Sequence, residues 1–154
     1  MPDLHLSVLT AEGRLYDAEA EFVVLPAEEG ELGILPEHSP IVALLKPGAL
    51  RATVGGEVEL FFVSGGFVDV ARSGADTSVT VLADTGERAH DIDEARALEA
   101  RKRAEAMLAQ TLSAEEYAEA TALLERSVAR VRVAELGRGT RRRRERPLPP
   151  TSSE

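Results

Sequence analysis

Residues 86–97 read Gly-Glu-Arg-Ala-His-Asp-Ile-Asp-Glu-Ala-Arg-Ala, and the hydrophobic pattern changes its period within this stretch. Before it, apolar residues alternate or cluster in short runs separated by Gly and Pro. After it, they recur at helical spacing, and no Gly or Pro appears until Gly137. One change of period predicts two structural units, residues 1–86 and residues 87–137, joined at a hinge. Asp91 is the predicted N-cap of the first helix, with Glu94 three residues later as in a capping box.

The residues before this junction predict an antiparallel sandwich or barrel of eight to ten short strands. Leu4, Leu6 and Val8 alternate with polar residues, as in a strand with one buried face. The pair Gly55-Gly56 separates two apolar runs, which is typical of a tight hairpin turn. Because no helical pattern separates the runs, neighbouring strands are expected to pair antiparallel.

The residues after the junction predict an antiparallel hairpin of two helices. The whole chain is therefore expected to be α+β, with an N-terminal antiparallel β-sandwich of about ten short strands followed by the helical hairpin. Ser113 begins a second capping box, with Glu116 three residues later, and Gly137 is the predicted helix stop. The apolar face of the second helix is expected to comprise Tyr117, Ala120, Thr121, Leu124, Val128 and Val131.

The apolar faces of the two predicted helices are built largely from alanine. Alanine buries roughly a third to a half of the area that leucine buries, so the packing surface is thin. Such a hairpin can populate both a closed form and an opened, extended helix, as a switching arm does. The alternative is an arm that packs permanently on the sandwich, and the sequence leaves both open.

The charge is distributed unevenly along the chain. The net charge is −9, and residues 1–90 alone hold 15 acidic and 5 basic side chains. Residues 138–154 hold 6 Arg and 2 Glu, have no apolar period and contain several prolines, which predicts a disordered basic tail. An acidic sandwich repels phosphate, so a nucleic-acid role would depend on this tail alone, and nucleic acid is not the expected partner.

The composition excludes several functional classes. The chain has no Cys, its three His (5, 38 and 90) are far apart, and no metal site is expected. There is no Walker-type glycine-rich loop and no Gly-x-Ser-x-Gly motif. No apolar run approaches the ~18 residues that a membrane span needs, and the N-terminus lacks a signal-peptide core. These features favour a binding or coupling component over a catalyst, with no direct membrane insertion.

Three charged residues follow one helical stripe after the junction. Asp93 and Arg96 lie three residues apart, and Arg103 lies two turns further along. One carboxylate and two guanidinium groups on one face are suited to bind a nucleotide. They are equally suited to form a solvated ion-pair face, and the spacing alone favours this second interpretation.

Several segments together resemble the epsilon subunit of F-type ATP synthases, in the family's order over residues 3–136. They are Gly30-Glu-Leu-Gly-Ile-Leu-Pro-Glu-His-Ser-Pro40, Lys46-Pro-Gly48, Phe62-Val-Ser-Gly-Gly-Phe-Val-Asp-Val70, Val79-Thr-Val-Leu-Ala-Asp84 and Val133-Ala-Glu-Leu136. The resemblance implies a non-catalytic central-stalk subunit, peripheral on the cytoplasmic face of a bacterial inner membrane. Its sandwich would bind the gamma subunit and touch the proton-conducting c-ring, with Glu31 and His38 facing that ring. The alternative for His38 is a turn residue bonded to a backbone carbonyl.

The resemblance also implies a regulatory arm. In this family the helical hairpin can extend into the catalytic alpha/beta head and block ATP hydrolysis. Arg126, Arg130 and Arg132 would then meet an acidic segment of the beta subunit.

One further motif concerns ATP. Residues 92–97 match the Ile/Leu-Asp-x-x-Arg-Ala motif through which some bacterial epsilon subunits bind ATP. No cofactor is required, but ATP is implied as a regulatory ligand. A different class of function, a stand-alone nucleotide-sensing module, stays open. The matching positions are Glu87, Ile92, Asp93, Arg96, Ala97, Arg103, Arg126 and Arg130.

Overall fold

A computed structural model describes residues 3–145, with Arg144 described by its backbone alone. Ten strands precede two helices, which confirms the predicted fold class. The strands are β1 Leu4–Thr10, β2 Gly13–Ala20, β3 Phe22–Ala27, β4 Gly30–Ile34, β5 Ile41–Leu45, β6 Gly48–Val54, β7 Glu57–Val63, β8 Gly66–Ser73, β9 Asp76–Ala83 and β10 Gly86–Arg88. A 3₁₀ turn, Ala89–Asp91, leads to α1 Glu94–Leu108 and α2 Ala114–Glu145.

The strands form a β-sandwich whose hydrogen-bonded order is β10-β7-β6-β3-β5-β8-β9-β1-β2, with β4 attached to β3. All described pairs are antiparallel except β1 with β9, which is parallel. A parallel pair needs a long connection, and here all the intervening strands supply it. Because β10 pairs with β7, the sheet continues to Arg88, two residues beyond the predicted junction.

The core is aliphatic and follows the alternation of the strands. Leu4, Leu6 and Val8 are buried, as predicted from their spacing, and they pack with Leu25, Phe61 and other side chains of the same cluster. The Gly55-Gly56 hairpin is confirmed, with both residues at positive φ. At Gly66 (φ 125°) a Cβ would lie 2.0 Å from the carbonyl oxygen of Leu82, so no side chain fits there.

The start of α1 differs from the prediction, while the start of α2 confirms it. The N-cap of α1 is Asp93, whose Oδ1 accepts from the Arg96 amide at 3.1 Å. The Asp91 cap was wrong because residues 89–91 form a 3₁₀ turn and Ile92 returns to extended backbone before the helix begins. At α2 the Ser113 hydroxyl accepts from the Glu116 amide at 3.2 Å.

The two helices pack through small side chains. Among the described side chains, those buried on the helices are Ala97, Ala104, Ala120, Ser127, Val131, Val133 and Ala134. The predicted face of α2 was partly wrong, because Tyr117 and Val128 are exposed. Small side chains therefore predominate among the buried residues of the helices, while these two larger side chains face solvent.

Helix α2 does not stop at Gly137, so residues 138–145 are helical where a disordered tail was predicted. Gly137 lies against the 3₁₀ turn, and a Cβ there would be 2.8 Å from the Ala89 Cβ. The glycine therefore serves close packing rather than termination. Arg138 then pairs with Glu94 of α1, Nη2 to Oε1, at 3.0 Å. The rest of the predicted tail, residues 146–154, lies outside the described residues.

Candidate functional site

Two adjoining clefts lie between the sandwich and the helical arm, which we define as α1 and α2. One, of about 480 Å³, is lined by Glu87, Asp91, Asp93, Arg96, Glu99, Ala100, Arg103 and Arg130. The other, of about 320 Å³, is lined by Phe62, Ser64, Asp84, Thr85, Glu87, Ala100, Leu123, Arg126, Ser127 and Arg130. Glu87, Ala100 and Arg130 line both clefts and so mark their boundary.

An ion pair at this boundary joins the two units. Arg130 Nε of α2 donates to Glu87 Oε1 of β10 at 2.6 Å, and the two side chains are 27% and 29% exposed. The Arg130 guanidinium also lies 6.0 Å from the ring centroid of Phe62. Glu87 and Phe62 are partners in the β10–β7 register, so one arginine contacts both strands at the same point. We call the Glu87–Arg130 contact the latch.

Three other arginines near the clefts have guanidinium groups without a partner among the described residues. Within residues 3–145, the side chains of Arg96, Arg103 and Arg126 form no ion pair or hydrogen bond, and all three are exposed. Four carboxylates line the larger cleft beside them. A bound anion would therefore be attracted by these free guanidinium groups and repelled by the carboxylates.

The structure brings most of the predicted nucleotide residues together. Glu87, Asp93, Arg96, Arg103 and Arg130 line the larger cleft, and Arg126 lines its neighbour. The remaining two positions of the motif line neither cleft. Ile92 packs on the small cluster around Phe62, Ala89 and Val133, and Ala97 is fully buried.

Sequence reasoning missed several residues that line the clefts. Glu99 and Ala100 lie between Arg96 and Arg103 on the same face of α1, so helical spacing alone was enough to include them. Phe62 and Thr85 are brought to the arm only by the pairing of β10 with β7. No local pattern marks them.

Glu31 is the second residue of β4, and His38 lies in the loop that follows this strand; neither lines the clefts. Arg51 Nη2 donates to both carboxylate oxygens of Glu31 at 2.9 Å. His38 Nδ1 is 2.7 Å from the carbonyl oxygen of Ser39, which can only accept, so Nδ1 carries the proton. This is the bond to a backbone carbonyl that the turn-residue alternative requires. Arg132 is exposed on α2 and lines neither cleft.

The sandwich also exposes a row of apolar side chains on β5, β8 and β9. Leu44 pairs with Phe67, and Phe67 pairs with Leu82, so the three lie side by side on one face. They are 58%, 42% and 37% exposed, respectively, and Val42 on the same face of β5 is 69% exposed. We call Leu44, Phe67 and Leu82 the outer ladder. A contiguous apolar row of this kind marks an interaction surface.

Two kinds of feature are absent from the part of the chain that the structure describes. Over residues 3–145, no group of His, Asp and Glu side chains is arranged to hold a metal ion. Neither helix combines the length and apolarity that a membrane span requires in the part of the chain described.

Comparison with known families covers nearly all of the described chain. The family model described as ATP synthase, Delta/Epsilon chain, beta-sandwich domain matches residues 3–89. The model described as ATP synthase, Delta/Epsilon chain, long alpha-helix domain matches residues 90–135.

Two curated relatives illustrate the similarity. The chain is 47% identical over 145 residues to ATP synthase epsilon chain 2 of Ralstonia nicotianae, covering 94% of this chain and 100% of that one. It is 46% identical over 132 residues to the ATP synthase epsilon chain of Acidithiobacillus ferridurans, covering 86% of this chain and 91% of that one.

Solved structures show the same fold. A chain in the OSCP/F1/c-ring structure of the Euglena gracilis mitochondrial ATP synthase matches with a TM-score of 0.73 at 22% identity, over 88% of this chain and 82% of that chain. A chain in the central stalk/c-ring structure of the Tetrahymena thermophila mitochondrial enzyme matches with a TM-score of 0.50 at 16% identity, over 87% and 95%, respectively.

Proposed function

Because this chain belongs to the ATP synthase delta/epsilon family, as an epsilon chain and hence a non-catalytic subunit of that complex, we propose that it couples a gamma subunit to a proton-conducting c-ring. Its place would be the central stalk, peripheral on the cytoplasmic face of a bacterial inner membrane. The observation that carries this proposal is the outer ladder, because a monomer gains nothing from leaving Leu44, Phe67 and Leu82 side by side in water. The occupant we assign to the ladder is the gamma subunit.

A serine at Leu44 tests this docking. Full burial of a leucine contributes roughly 1.5–3 kcal/mol, and Leu44 still has 58% of its surface to bury, so Leu44→Ser should weaken binding by about 4- to 20-fold. Binding is measured between the full-length chain and an alpha/beta/gamma complex lacking its epsilon subunit. The matched control is Val58→Ser, which replaces a 38% exposed apolar side chain on β7, far from β8 and β9 in the strand order. Equal affinities for wild type and Leu44→Ser contradict the docking.

The ring contact is assigned to Glu31 and His38. Glu31 is held by Arg51 through two hydrogen bonds, and His38 is held by its bond to Ser39. Both side chains are therefore oriented before any partner binds, which lowers the entropic cost of docking. Since Glu31 lies in β4 and His38 in the loop that follows it, the ring would contact both this strand and its loop.

The arm is proposed to inhibit ATP hydrolysis when it opens and extends towards the alpha/beta head. Its attachment to the sandwich is small, a cluster in which Phe62, Ala89 and Val133 are the buried members, supplemented by the latch. Little apolar area is lost when such a contact opens, which favours a mobile arm. Arg126 and Arg132 are exposed and available to an acidic segment of the beta subunit, whereas Arg130 must first leave Glu87.

Truncation after Asp91 tests inhibition. This cut keeps β10 and the 3₁₀ turn, so β7 retains its partner and the sandwich should fold. The truncated chain should still assemble into the complex while ATP hydrolysis rises. Unchanged hydrolysis in the assembled complex would remove the inhibitory role and leave coupling intact.

ATP is proposed to bind at the larger cleft and to favour the closed arm. The support is the set of free guanidinium groups on Arg96, Arg103 and Arg126 around the latch. A hydrogen bond to a charged group contributes about 1.5–3 kcal/mol, so Arg103→Ala should raise the Kd for Mg-ATP by more than about tenfold in calorimetric titration. Arg132→Ala, which removes an exposed guanidinium outside both clefts, is the control. Identical titrations for all three chains would exclude this site.

A further inference from the structure

The loop that carries His38 contains an unusual backbone conformation. Glu37 has φ 68° and is the one non-glycine residue at positive φ within residues 3–145. Left-handed backbone is unfavourable for a residue with a Cβ, so it persists only where the surroundings hold it. The loop therefore depends on contacts from outside itself.

Those contacts come from two neighbouring strands. The Glu37 amide donates to Thr77 Oγ1 at 2.7 Å, and Arg72 Nη1 donates to the Glu37 carbonyl oxygen at 3.0 Å. Arg72 Nη2 also lies 3.6 Å from Glu37 Oε1, and its Nε donates to the carbonyl oxygen of Gly74 at 2.9 Å. Arg72 and Thr77 are register partners on β8 and β9, so a single rung of the sandwich holds both backbone groups of Glu37. We call these contacts the clamp.

We propose that Arg72 and Thr77 are positioning residues that hold the loop of residues 35–39 in the shape in which it meets the c-ring. Thr77 is only 3% exposed, although its hydroxyl bonds to a loop 40 residues away in the chain. Packing inside the sandwich does not require this hydroxyl, because a valine would fill the same volume. Its bond to the exposed loop therefore explains why a buried hydroxyl is present. The same loop contains His38 and Leu35. The His38 amide donates to the carbonyl oxygen of Leu35 at 3.1 Å, and Leu35 is 58% exposed.

This inference rests on the proposed ring contact and makes it specific. A loop held in one conformation binds without first being ordered, whereas a released loop is competent for only part of the time. If loss of the clamp leaves the loop competent for about a tenth of the time, the apparent affinity falls about tenfold.

The experiment compares Thr77→Val with Thr77→Ser in the full-length chain. Valine keeps the volume and removes the acceptor, while serine keeps the hydroxyl. Amide hydrogen exchange at Glu37 should accelerate in Thr77→Val and stay slow in Thr77→Ser. Affinity for the cognate ATP synthase complex stripped of its epsilon subunit should fall about tenfold in the first and be retained in the second.

Two more variants keep the test interpretable if Thr77→Val weakens the fold. Arg72→Gln alters a 39% exposed side chain that is outside the core, and it should reduce affinity in the same direction. Glu37→Gly suits the positive φ and keeps both backbone bonds, so it should bind like the wild type.

The possible results separate the clamp from the contact it serves. His38→Ala reports on the ring contact itself, and unchanged affinity there would remove that contact from the proposed function. A different pattern would overturn the clamp alone. In that pattern, Thr77→Val shows faster exchange at Glu37 but binds with wild-type affinity, while His38→Ala binds weakly.

Discussion

Replacing Glu87 by alanine is expected to release the helical arm from the sandwich. Arg130 Nε lies 2.6 Å from Glu87 Oε1, and the latch is the hydrogen-bonded ion pair that joins β10 to α2. In Glu87→Ala the Arg130 guanidinium keeps its place near Phe62, 6.0 Å from the ring centroid, but loses its anionic partner. A partly buried cation without a partner destabilises the closed arrangement and favours opening.

The magnitude follows from how far the two side chains are buried. With 27% and 29% of their surfaces exposed, they are screened less than a surface pair, which contributes about 0–1 kcal/mol. A hydrogen bond to a charged group contributes about 1.5–3 kcal/mol. The residual contact with Phe62 offsets part of the loss, so about 1–2 kcal/mol is expected, which is about a 5- to 30-fold rise in the ratio of open to closed arm.

The arm's position can be measured by single-molecule energy transfer without nucleotide. The chain contains no Cys, so dyes can be attached to cysteines placed at the exposed positions Glu12 and Glu119. The control is Glu105→Ala, which removes an ion pair of 3.7 Å to Arg101 within α1 and none between the units. An open fraction in Glu87→Ala equal to that of the wild type and the control would refute the latch.

Two further predictions concern other parts of the chain. Gly137→Ala places a methyl group 2.8 Å from the Ala89 Cβ and should raise the open fraction of the arm, although alanine favours helix by about 1 kcal/mol. The control Gly139→Ala, where a Cβ meets nothing within 4 Å, should leave the open fraction unchanged. The hydrogen bond between His5 and Glu19, at 2.8 Å, raises the pKa of His5 above 6.5. The pair of protonated His5 with Glu19 therefore contributes its full stabilisation below about pH 6.5. This contribution is lost as the pH rises through the folded-state pKa of His5. Thermal melts between pH 5 and 9 should show the wild type losing its advantage over His5→Asn with rising pH, and a constant difference would contradict this.

The sandwich was predictable because its signals are local. Alternation at Leu4, Leu6 and Val8 follows the two-residue period of a strand, and the buried residues confirm it. The Gly55-Gly56 turn and the Ser113 cap were equally accessible, since each depends on residues within one turn of chain. The parallel pairing of β1 with β9 has no such signal, because it depends on where two distant strands end up.

The errors in the arm have a common physical origin. Asp91 and Asp93 are both good caps, and the 3₁₀ turn before the helix decided between them. Gly137 is a good helix stop in isolation, but packing against Ala89 made it an interior residue of α2. Both errors therefore involve the 3₁₀ turn of residues 89–91, which moves the cap to Asp93 and packs against Gly137.

The sequence by itself determined the two units, the strand faces, and the stripe of Asp93, Arg96 and Arg103, because these follow from periods of two and 3.6 residues along one segment. Only the tertiary structure decided which charges meet. Arg130 and Glu87 are 43 residues apart, and Glu37 and Thr77 are 40 apart. Such contacts arise where separate strands and helices pack together, and the free energy of that packing depends on the whole fold rather than on any segment of it.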